Sequence, residues 1–276
     1  MTICDCHVHV FDPGRYPWAS DRAYTPGAAR LGELRRFHAA LGVGRAVLVQ
    51  PSPYGSDNRC LLDALRELGD RARGVAVLGG HETAAELAHW HRLGVRGVRV
   101  NLVSGGGARD VAAARRAVTR TAERIAPLGW HLQLFAGLPV VSALAADLAV
   151  LPVPVVVDHY GLADGPDRPG FRDLLGLLAD ERAYVKLSAP YRIPAGSAAA
   201  SAAEFVAANP HRVVWGSDWP HTGGRARNAR ERDTPEPFRE VDDARELAAV
   251  RAWAGGHATT VLETNPAELY DFPLVR

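Results

Sequence analysis

The sequence predicts a (β/α)8 barrel of the TIM type, formed by residues 1–276 as a single domain. Two observations lead to this prediction. Short β-branched runs alternate with longer stretches rich in Ala, Leu, Glu and Arg that have helical spacing, which is typical of repeated βα units around a parallel sheet. Eight such runs fall within 276 residues, and a closed barrel of about 250 residues accommodates them better than an open doubly wound sheet.

The eight predicted strands share buried, β-branched cores. They are ICDCHVHV (3–10), RAVLVQPS (45–52), GVAVLGG (74–80), VRGVRVNL (95–102), HLQLFA (131–136), VPVVVDHY (153–160), AYVKLSA (183–189) and RVVWGSDW (212–219). Six stretches between them have helical spacing, at 58–68, 83–93, 110–126, 140–149, 171–179 and 201–208. The first three begin at Asn58, Thr83 and Asp110, which are favoured N-cap residue types. Residues 221–240 are charged and contain two prolines, so they predict a surface loop or lid over the barrel mouth.

Composition excludes several classes of function. The net charge is +1, so the chain lacks the basic footprint of a nucleic-acid-binding domain. No apolar run is long enough to span a bilayer, and the first thirty residues lack a signal-peptide pattern. Cys4, Cys6 and Cys60 are odd in number and predict no disulfide framework. We expect a cytoplasmic protein that acts on a small molecule, with no nucleic-acid or membrane partner; homo-oligomerisation stays open.

Unusual polar residues collect at the C-terminal ends of the predicted strands, where barrels place catalytic groups. They are His7, His9, Ser52, Arg99, Asn101, His159, Ser188, Arg192 and Asp218. Each alone has a structural explanation, such as a hydrogen-bonded histidine or a turn aspartate. Their coincidence at one end of the barrel indicates a site.

Side chains two residues apart on a strand share a face. On this basis Asp5, His7 and His9 are expected to point into the barrel together, with Asp5 orienting the histidines. Cys4 and Cys6 are then expected behind the first strand. By the same alternation, His159 is expected to share a face with Val155 and Val157.

Seven segments carry a family resemblance: DCHVHV, VQPSPYGSDN, GVRGVRVNL, VVVDHYG, YVKLSAPYR, VVWGSDWPH and TNPAELYDF. In this order they resemble the amidohydrolase-related (amidohydrolase 2) lactonases of the 2-pyrone-4,6-dicarboxylate lactonase type, over nearly the whole chain. The resemblance implies a (β/α)8 barrel that hydrolyses a cyclic ester in a carboxylated or sugar-like substrate, generally without a required metal.

Hydrolysis of a lactone needs an activated water, donors for the oxyanion and a group that holds the substrate. Asp218 is the candidate general base, and His7, His9 and His159 are the candidates for polarising the ester carbonyl. Arginine suits a substrate carboxylate because its fork binds both oxygens. The resemblance makes Arg99 and Arg192 candidate anion holders, with Tyr24 and Ser52 as further substrate-binding residues.

A zinc site needs three or four converging ligands. The fourth and fifth strands end in Arg99, Asn101 and Phe135, which supply no histidine or carboxylate. His131 starts the fifth strand, roughly 13 Å below Phe135, and is expected to be structural. The remaining set, His7, His9, His159 and Asp218, suffices for one ion. No metal or other cofactor is favoured; the alternative is one Zn²⁺ or Mn²⁺ in a mononuclear decarboxylase or hydratase of the same superfamily. A barrel that binds a small acid without catalysis is a third hypothesis.

Two departures from the family bear on the substrate. Dicarboxylate-hydrolysing members have a further arginine shortly after the fourth strand, where this chain has Gly105–Gly107; Arg109 or an arginine within 225–232 could substitute. Those members also have a tyrosine where Phe135 stands. A buried anion without partners is costly, so we expect a lactone with one carboxylate, or a sugar-acid or muconolactone type of ring.

Overall fold

The computed structural model describes residues 2–103, 110–223 and 232–273. Eight parallel strands form one sheet, in which each strand pairs with the next barrel strand along the chain. Two short strands, β2 Thr25–Pro26 and β10 Pro235–Glu236, lie outside this sheet. The bounds of the eight barrel strands are β1 Cys4–Val8, β3 Arg45–Val49, β4 Ala72–Ala76, β5 Val95–Asn101, β6 His131–Phe135, β7 Val155–Val157, β8 Ala183–Ser188 and β9 Val213–Gly216. All eight predicted strands are therefore present, most of them shorter at the C-terminal end than predicted.

The barrel closes between its first and last strands. The amide of Asp218 donates to His7 O over 2.8 Å, and the amide of His9 donates to Trp219 O over 2.8 Å. Val8 and Trp219 form a parallel bridge at the same place. The predicted (β/α)8 TIM barrel is confirmed, and its seam lies at the end of the barrel where His7, His9 and Asp218 meet.

The described helices alternate with the strands. They are α1 Leu31–Leu41, α2 Arg59–Leu68, α3 Ala84–Arg92, α4 Val111–Ile125, α5 Leu138–Ala149, α6 Phe171–Ala179, α7 Ser197–Ala208, α8 Asp243–Ala254 and α9 Asn265–Leu269. The sequence predicted α2 to α7 and missed the other three. Thr83 and Asp110 cap their helices by accepting from Glu86 N and Ala112 N. Asn58 is the N-cap residue of α2, as predicted, but its side chain does not cap the helix, because its Oδ1 atom accepts from Val77 N instead.

The side chains of β1 that line the barrel interior are not the ones that the sequence predicted. Cys4 and Cys6 belong to the inner cluster that also contains Val47, Val75, Val156, Tyr184 and Val214. The pairing of β1 with β3 is irregular between Asp5 and Val8. Because this irregularity breaks the alternation of faces, Cys4 and Cys6 line the interior, and the expectation that they pack behind the strand is wrong.

Asp5 lies on the opposite side of β1 from the inner cluster. Its carboxylate accepts from Ser217 N over 2.9 Å, from Ser217 Oγ over 2.6 Å and from His38 Nε2 on α1 at 3.2 Å. Asp5 therefore does not share a face with His7 and His9, as the sequence suggested. It ties β1 to α1 and to the loop after β9.

The end of the barrel opposite His7 and His9 is filled by the C-terminal segment. Tyr270 and Phe272 complete the inner cluster. The guanidinium groups of Arg45 and Arg73 lie 4.9 and 4.6 Å from the centre of the Phe272 ring. His131, at the start of β6, is buried against Tyr270, with ring centres 5.1 Å apart.

The predicted lid at 221–240 is described only in part, since residues 224–231 lie outside the described residues. Two short strands, β2 Thr25–Pro26 and β10 Pro235–Glu236, pair in parallel. Phe238 stacks on Phe11 of the loop after β1, with ring centres 6.4 Å apart. This segment thus packs on the first loop of the mouth; a role as a lid stays a prediction. Among the described helices, none is long and apolar enough to span a membrane.

Candidate active site

Asp218 lies at the centre of a fully buried group at the C-terminal end of the barrel. Its Oδ2 atom accepts from Tyr191 OH over 2.7 Å and from Arg192 Nη2 over 2.8 Å. Its Oδ1 atom faces three imidazoles, at 3.4 Å from His9 Nε2, 3.5 Å from His7 Nε2 and 3.9 Å from His159 Nε2. The four predicted catalytic residues are therefore brought together. Asp218 has a φ of 64°, so a left-handed backbone turns it towards the histidines.

His9 has a defined hydrogen-bond role. Its Nδ1 atom lies 2.8 Å from Val49 O. A carbonyl oxygen only accepts, so Nδ1 carries a proton, and in the neutral form of the ring Nε2 presents a lone pair. This lone pair points at the carboxylate of Asp218. Either a proton, a water molecule or a cation between them would relieve the repulsion.

His159 reaches the site by a route that strand alternation does not describe. The strand β7 ends at Val157, and His159 has a φ of 51°. Val155 and Val157 pack in the outer core, so the expectation that His159 shares their face is wrong. The ring instead packs on His7, with centres 4.6 Å apart, and its Nδ1 lies 2.8 Å from Ser188 Oγ.

A second buried carboxylate, Asp158, was missed from the sequence. Its Oδ2 atom accepts from Arg99 Nε over 3.2 Å and from Gln133 Nε2 over 3.0 Å. Its Oδ1 atom lies 3.3 Å from His7 Nδ1. Asp158 follows the inward-facing Val156 by two residues, and this alternation could have revealed it.

Lys186, the only lysine in the chain, was also missed as a site residue. Its ammonium donates to Gln133 Oε1 over 2.7 Å and to Cys6 O over 2.9 Å. It also lies 3.3 Å from His7 Nδ1 and 3.5 Å from Asp158 Oδ1. A lysine in the middle of a strand with two buried faces was the available signal, since lysine is almost never fully buried without a partner.

The pKa values of the buried acids Asp158 and Asp218 and of His159 are all lowered, the acids by neighbouring cationic groups and the histidine by burial. Burial opposes ionisation of Asp218, but Arg192 and the histidines outweigh it and hold the pKa well below 3.8. Burial likewise opposes ionisation of Asp158, yet His7, Lys186 and Arg99 hold its pKa well below 3.8. Burial lowers the pKa of His159 to about 3. The carboxylates are ionised and this histidine is neutral near pH 7.

Of the four predicted substrate-binding residues, Arg192 is held by the protein itself. Its guanidinium binds Asp218 and also donates to Thr222 O over 3.3 Å. Arg99 makes one hydrogen bond within the described part of the chain, from Nε to Asp158, and lies 4.8 Å from the centre of the Phe135 ring. Tyr24 is buried, and burial raises the pKa of its hydroxyl, an effect that the neighbouring Thr222 and Ser52 oppose. Arg109 and an arginine within 225–232 were named as replacements for the family's further arginine; Arg109 and residues 225–231 lie outside the described residues, and Arg232 lies 3.5 Å from Asp233 Oδ1.

A family model described as amidohydrolase matches residues 4–272, and the chain belongs to this family. It is 36% identical to a 2-pyrone-4,6-dicarboxylate hydrolase of Comamonas testosteroni, over 79% of this chain and 76% of that one. It is 33% identical to a 4-sulfomuconolactone hydrolase of Hydrogenophaga intermedia, over 79% and 75% of the two chains. A crystal structure from Pseudomonas putida, provisionally assigned to 2-pyrone-4,6-dicarboxylic acid hydrolysis, superposes with a TM-score of 0.82 at 33% identity over 99% of each chain. The family resemblance drawn from the motifs is confirmed.

Proposed function

We propose that the protein hydrolyses a small acidic lactone, with Asp218 as the general base. The observation that carries this proposal is that the two carboxylate oxygens of Asp218 have different surroundings. One oxygen is fixed by Tyr191 and Arg192, and the other faces three imidazoles. Family members of similar sequence that open lactones support the reaction class.

The proposed reaction uses the free oxygen of Asp218. A water molecule beside Oδ1 gives up a proton to the carboxylate and attacks the lactone carbonyl. The tetrahedral oxyanion is stabilised by imidazole N–H groups, and on collapse the ring oxygen leaves with the proton returned by Asp218. A positioned base typically contributes about 10²–10⁴-fold, and one oxyanion donor about 10²–10³-fold.

The three histidines have different parts in this scheme. In its neutral form His9 cannot donate from Nε2, because its one proton is on Nδ1 facing Val49 O. It is suited to accept the second hydrogen of the attacking water. His7 and His159 remain as the candidates for polarising the carbonyl, since nothing fixes a proton on the far nitrogen of either ring in the same way.

The charge balance supports an anionic substrate. In the described residues of the inner site, Arg99, Arg192 and Lys186 face only two carboxylates, Asp158 and Asp218. One positive charge is therefore left for a ligand. Arg99 is the better candidate to receive it, because Arg192 is already occupied by Asp218 and Thr222. Phe135 beneath Arg99 forms an apolar wall where a ring could lie.

The same atoms would fit a single divalent cation. His7 Nε2, His9 Nε2 and Asp218 Oδ1 lie within 4.8 Å of one another. Ligands of a tetrahedral zinc at about 2.0–2.1 Å lie about 3.3 Å apart, close to the 3.4 and 3.5 Å found here. When bound, such an ion would supply Lewis-acid chemistry, as in the alternative of a mononuclear decarboxylase or hydratase. We favour a metal-independent site, because both carboxylates already have cationic partners.

A metal assay separates these two versions of the site. The protein is dialysed against chelator until its metal content is negligible, and lactone hydrolysis is then measured with and without added Zn²⁺ or Mn²⁺. Undiminished hydrolysis supports the metal-independent version. Loss of hydrolysis that is restored by one equivalent of metal would favour the alternative.

A lactone panel tests the function and the substrate class. Hydrolysis of pyrone carboxylates, muconolactones and aldonolactones is followed with a pH indicator, for the wild type, Arg99→Ala and Arg192→Ala. Arg99→Ala is expected to raise KM for acidic lactones by about 10- to 100-fold, the range for a charge-assisted contact of about 1.5–3 kcal/mol. It should leave neutral lactones little changed. Arg192→Ala should lower kcat for both, because it releases Asp218.

Equal rates on acidic and neutral lactones, with no effect of Arg99→Ala, would exclude the anion-binding proposal. If the wild type hydrolysed no lactone while a small acid still bound to it and to Asp218→Asn, the non-catalytic binding barrel would be favoured. Cytoplasmic location and homo-oligomerisation stay predictions from the sequence.

A further inference from the structure

The buried ammonium of Lys186 has no part in the scheme above, although it lies beside His7. Lys186 is fully buried, and two of its three N–H groups are used by Gln133 Oε1 and Cys6 O. The third faces His7 Nδ1 at 3.3 Å and Asp158 Oδ1 at 3.5 Å. Burying a lysine costs several kcal/mol unless its protons are bound, so we expect Lys186 to have a role beyond packing.

His7 can carry its proton on either nitrogen, and the two choices have opposite consequences at the mouth. With the proton on Nδ1, the nearest carboxylate acceptor for the ring would be Asp158 Oδ1, 3.3 Å away, and the ring would present a lone pair at Nε2. With the proton on Nε2, the ring accepts from Lys186 at Nδ1 and presents a donor towards Asp218 Oδ1, 3.5 Å away. The first form is a metal ligand and the second is an oxyanion donor.

We propose that Lys186 is a positioning residue that holds His7 in the form protonated at Nε2, and so makes it a hydrogen-bond donor rather than a metal ligand. An N–H at Nδ1 would point at an ammonium 3.3 Å away, bringing two donors together. Asp158 Oδ1 lies at the same distance from Nδ1, 3.3 Å, but of the two contacts only the one with Lys186 has hydrogen-bond geometry, and Asp158 Oδ1 has no hydrogen-bond partner among the described residues.

His9 provides an internal contrast two residues away. The acceptor behind its Nδ1 is the carbonyl of Val49, which forces the proton onto Nδ1. The group behind Nδ1 of His7 is a donor, Lys186. The two histidines of the HVH motif therefore present opposite groups to Asp218, His9 a lone pair and His7 an N–H. One can accept from a water molecule while the other donates to a carbonyl.

The test is ¹⁵N NMR of histidine-labelled protein at neutral pH without substrate, because protonated and bare imidazole nitrogens have well-separated ¹⁵N shifts. The His7 signals are identified by their loss in His7→Gln. The wild type is expected to show a protonated Nε2 at His7 and a protonated Nδ1 at His9. A wild-type His7 with its proton on Nδ1 would overturn the proposal, even if no lysine variant folds.

Lys186→Met removes the charge while keeping a side chain of similar length. The His7 proton is then expected to move to Nδ1, where Asp158 accepts it, and Zn²⁺ binding measured by equilibrium dialysis should tighten by about 10- to 100-fold. Arg99→Met is the matched control, since it removes a cation from Asp158 without touching His7, and it should leave the His7 signals unchanged. An unchanged His7 in Lys186→Met, or equal Zn²⁺ affinity in Lys186→Met and wild type, would contradict the proposal.

The activity readout rests on the proposed function and is separable from it. Lys186→Met is expected to lower kcat about 10²-fold, as for loss of one oxyanion donor, with a smaller change in KM. If the wild type opened no lactone, the proposed function would fail, but the spectra and the zinc binding would still decide the role of Lys186.

Discussion

The two ends of the barrel use the same kind of residue in different ways. At the N-terminal end, Arg45 and Arg73 stack on Phe272 and donate to backbone carbonyls of the C-terminal segment. The carboxylate partner at this end is Asp271, which Arg96 reaches over 3.1 Å and whose side chain is 76% exposed. These arginines close the N-terminal end of the barrel, which we call its floor.

At the C-terminal end, the cations meet carboxylates that are wholly removed from water. Asp158 and Asp218 are both 0% exposed, and they pair with Arg99, Lys186 and Arg192. The described atoms of these groups that have no hydrogen-bond partner include Asp218 Oδ1, Asp158 Oδ1 and His7 Nε2. Burying an unpaired polar atom costs about 1–3 kcal/mol. These atoms therefore destabilise the fold, and their presence indicates a role other than stability.

The two ends of the barrel therefore differ in how strongly their ion pairs contribute to stability. An exposed ion pair is worth about 0–1 kcal/mol, whereas breaking a buried pair costs about 3–5 kcal/mol. The floor is therefore tolerant of charge changes and the mouth is not.

The largest effect is expected at Asp218. Asp218→Asn should lower kcat for an acidic lactone by about 10²–10⁴-fold, because the amide cannot accept the proton of water. The measurement is kcat on the best lactone of the panel, with the melting temperature as a check on folding. Asp271→Asn at the floor is the control and should keep the wild-type kcat. A folded Asp218→Asn protein with near-wild-type kcat would refute the assignment of the base.

A stability measurement separates the two ends more directly. Asp158→Ala should lower the free energy of unfolding by about 3–5 kcal/mol, because Arg99 and Lys186 lose their shared buried partner. Asp271→Ala should lower it by at most about 1 kcal/mol. Urea denaturation of both variants decides the matter; equal losses would show that burial does not distinguish the two sets of ion pairs.

A smaller effect is expected from pH. Burial lowers the pKa of His131 and of His159 to about 3, so from about pH 6.5 downwards the unfolded chain binds protons that the folded chain does not. Stability should therefore fall on acidification, by up to about 1.4 kcal/mol per pH unit for each such histidine. Asp158 and Asp218, whose pKa values are held well below 3.8, add losses in the same direction below that value.

Urea denaturation at pH 8, 6 and 5 measures this slope. His131→Gln should reduce the slope without removing it, because His159 is still neutral and buried. A free energy of unfolding that stays constant between pH 7 and pH 5 would show that the buried histidines take up protons in the folded state.

The sequence predicts the barrel and the place of the site, because strand number and strand-end polarity are local patterns. It fails where the backbone departs from simple alternation. The irregularity in β1 exchanges the faces of Asp5 and Cys4, and the left-handed conformation at His159 turns that ring into the site. No pattern of residue types reveals either one.

Asp158 and Lys186 were missed for a different reason. Both follow the alternation of their strands, β7 and β8, and both lie inside the barrel. The sequence shows which strands bury charges, but the partners come from three other strands, through Arg99, Gln133 and Cys6. Such pairings depend on the closed geometry.

The position of the barrel seam has a consequence for biosynthesis. Asp218 and Trp219 close the barrel by hydrogen-bonding to His7 and His9, so two of the proposed catalytic residues are translated first and the proposed base more than two hundred residues later. A nascent chain on the ribosome holds His7 and His9 without a base until the eighth barrel strand emerges and pairs with the first. A product of interrupted translation that ends before Asp218 lacks both the proposed base and the seam that closes the barrel.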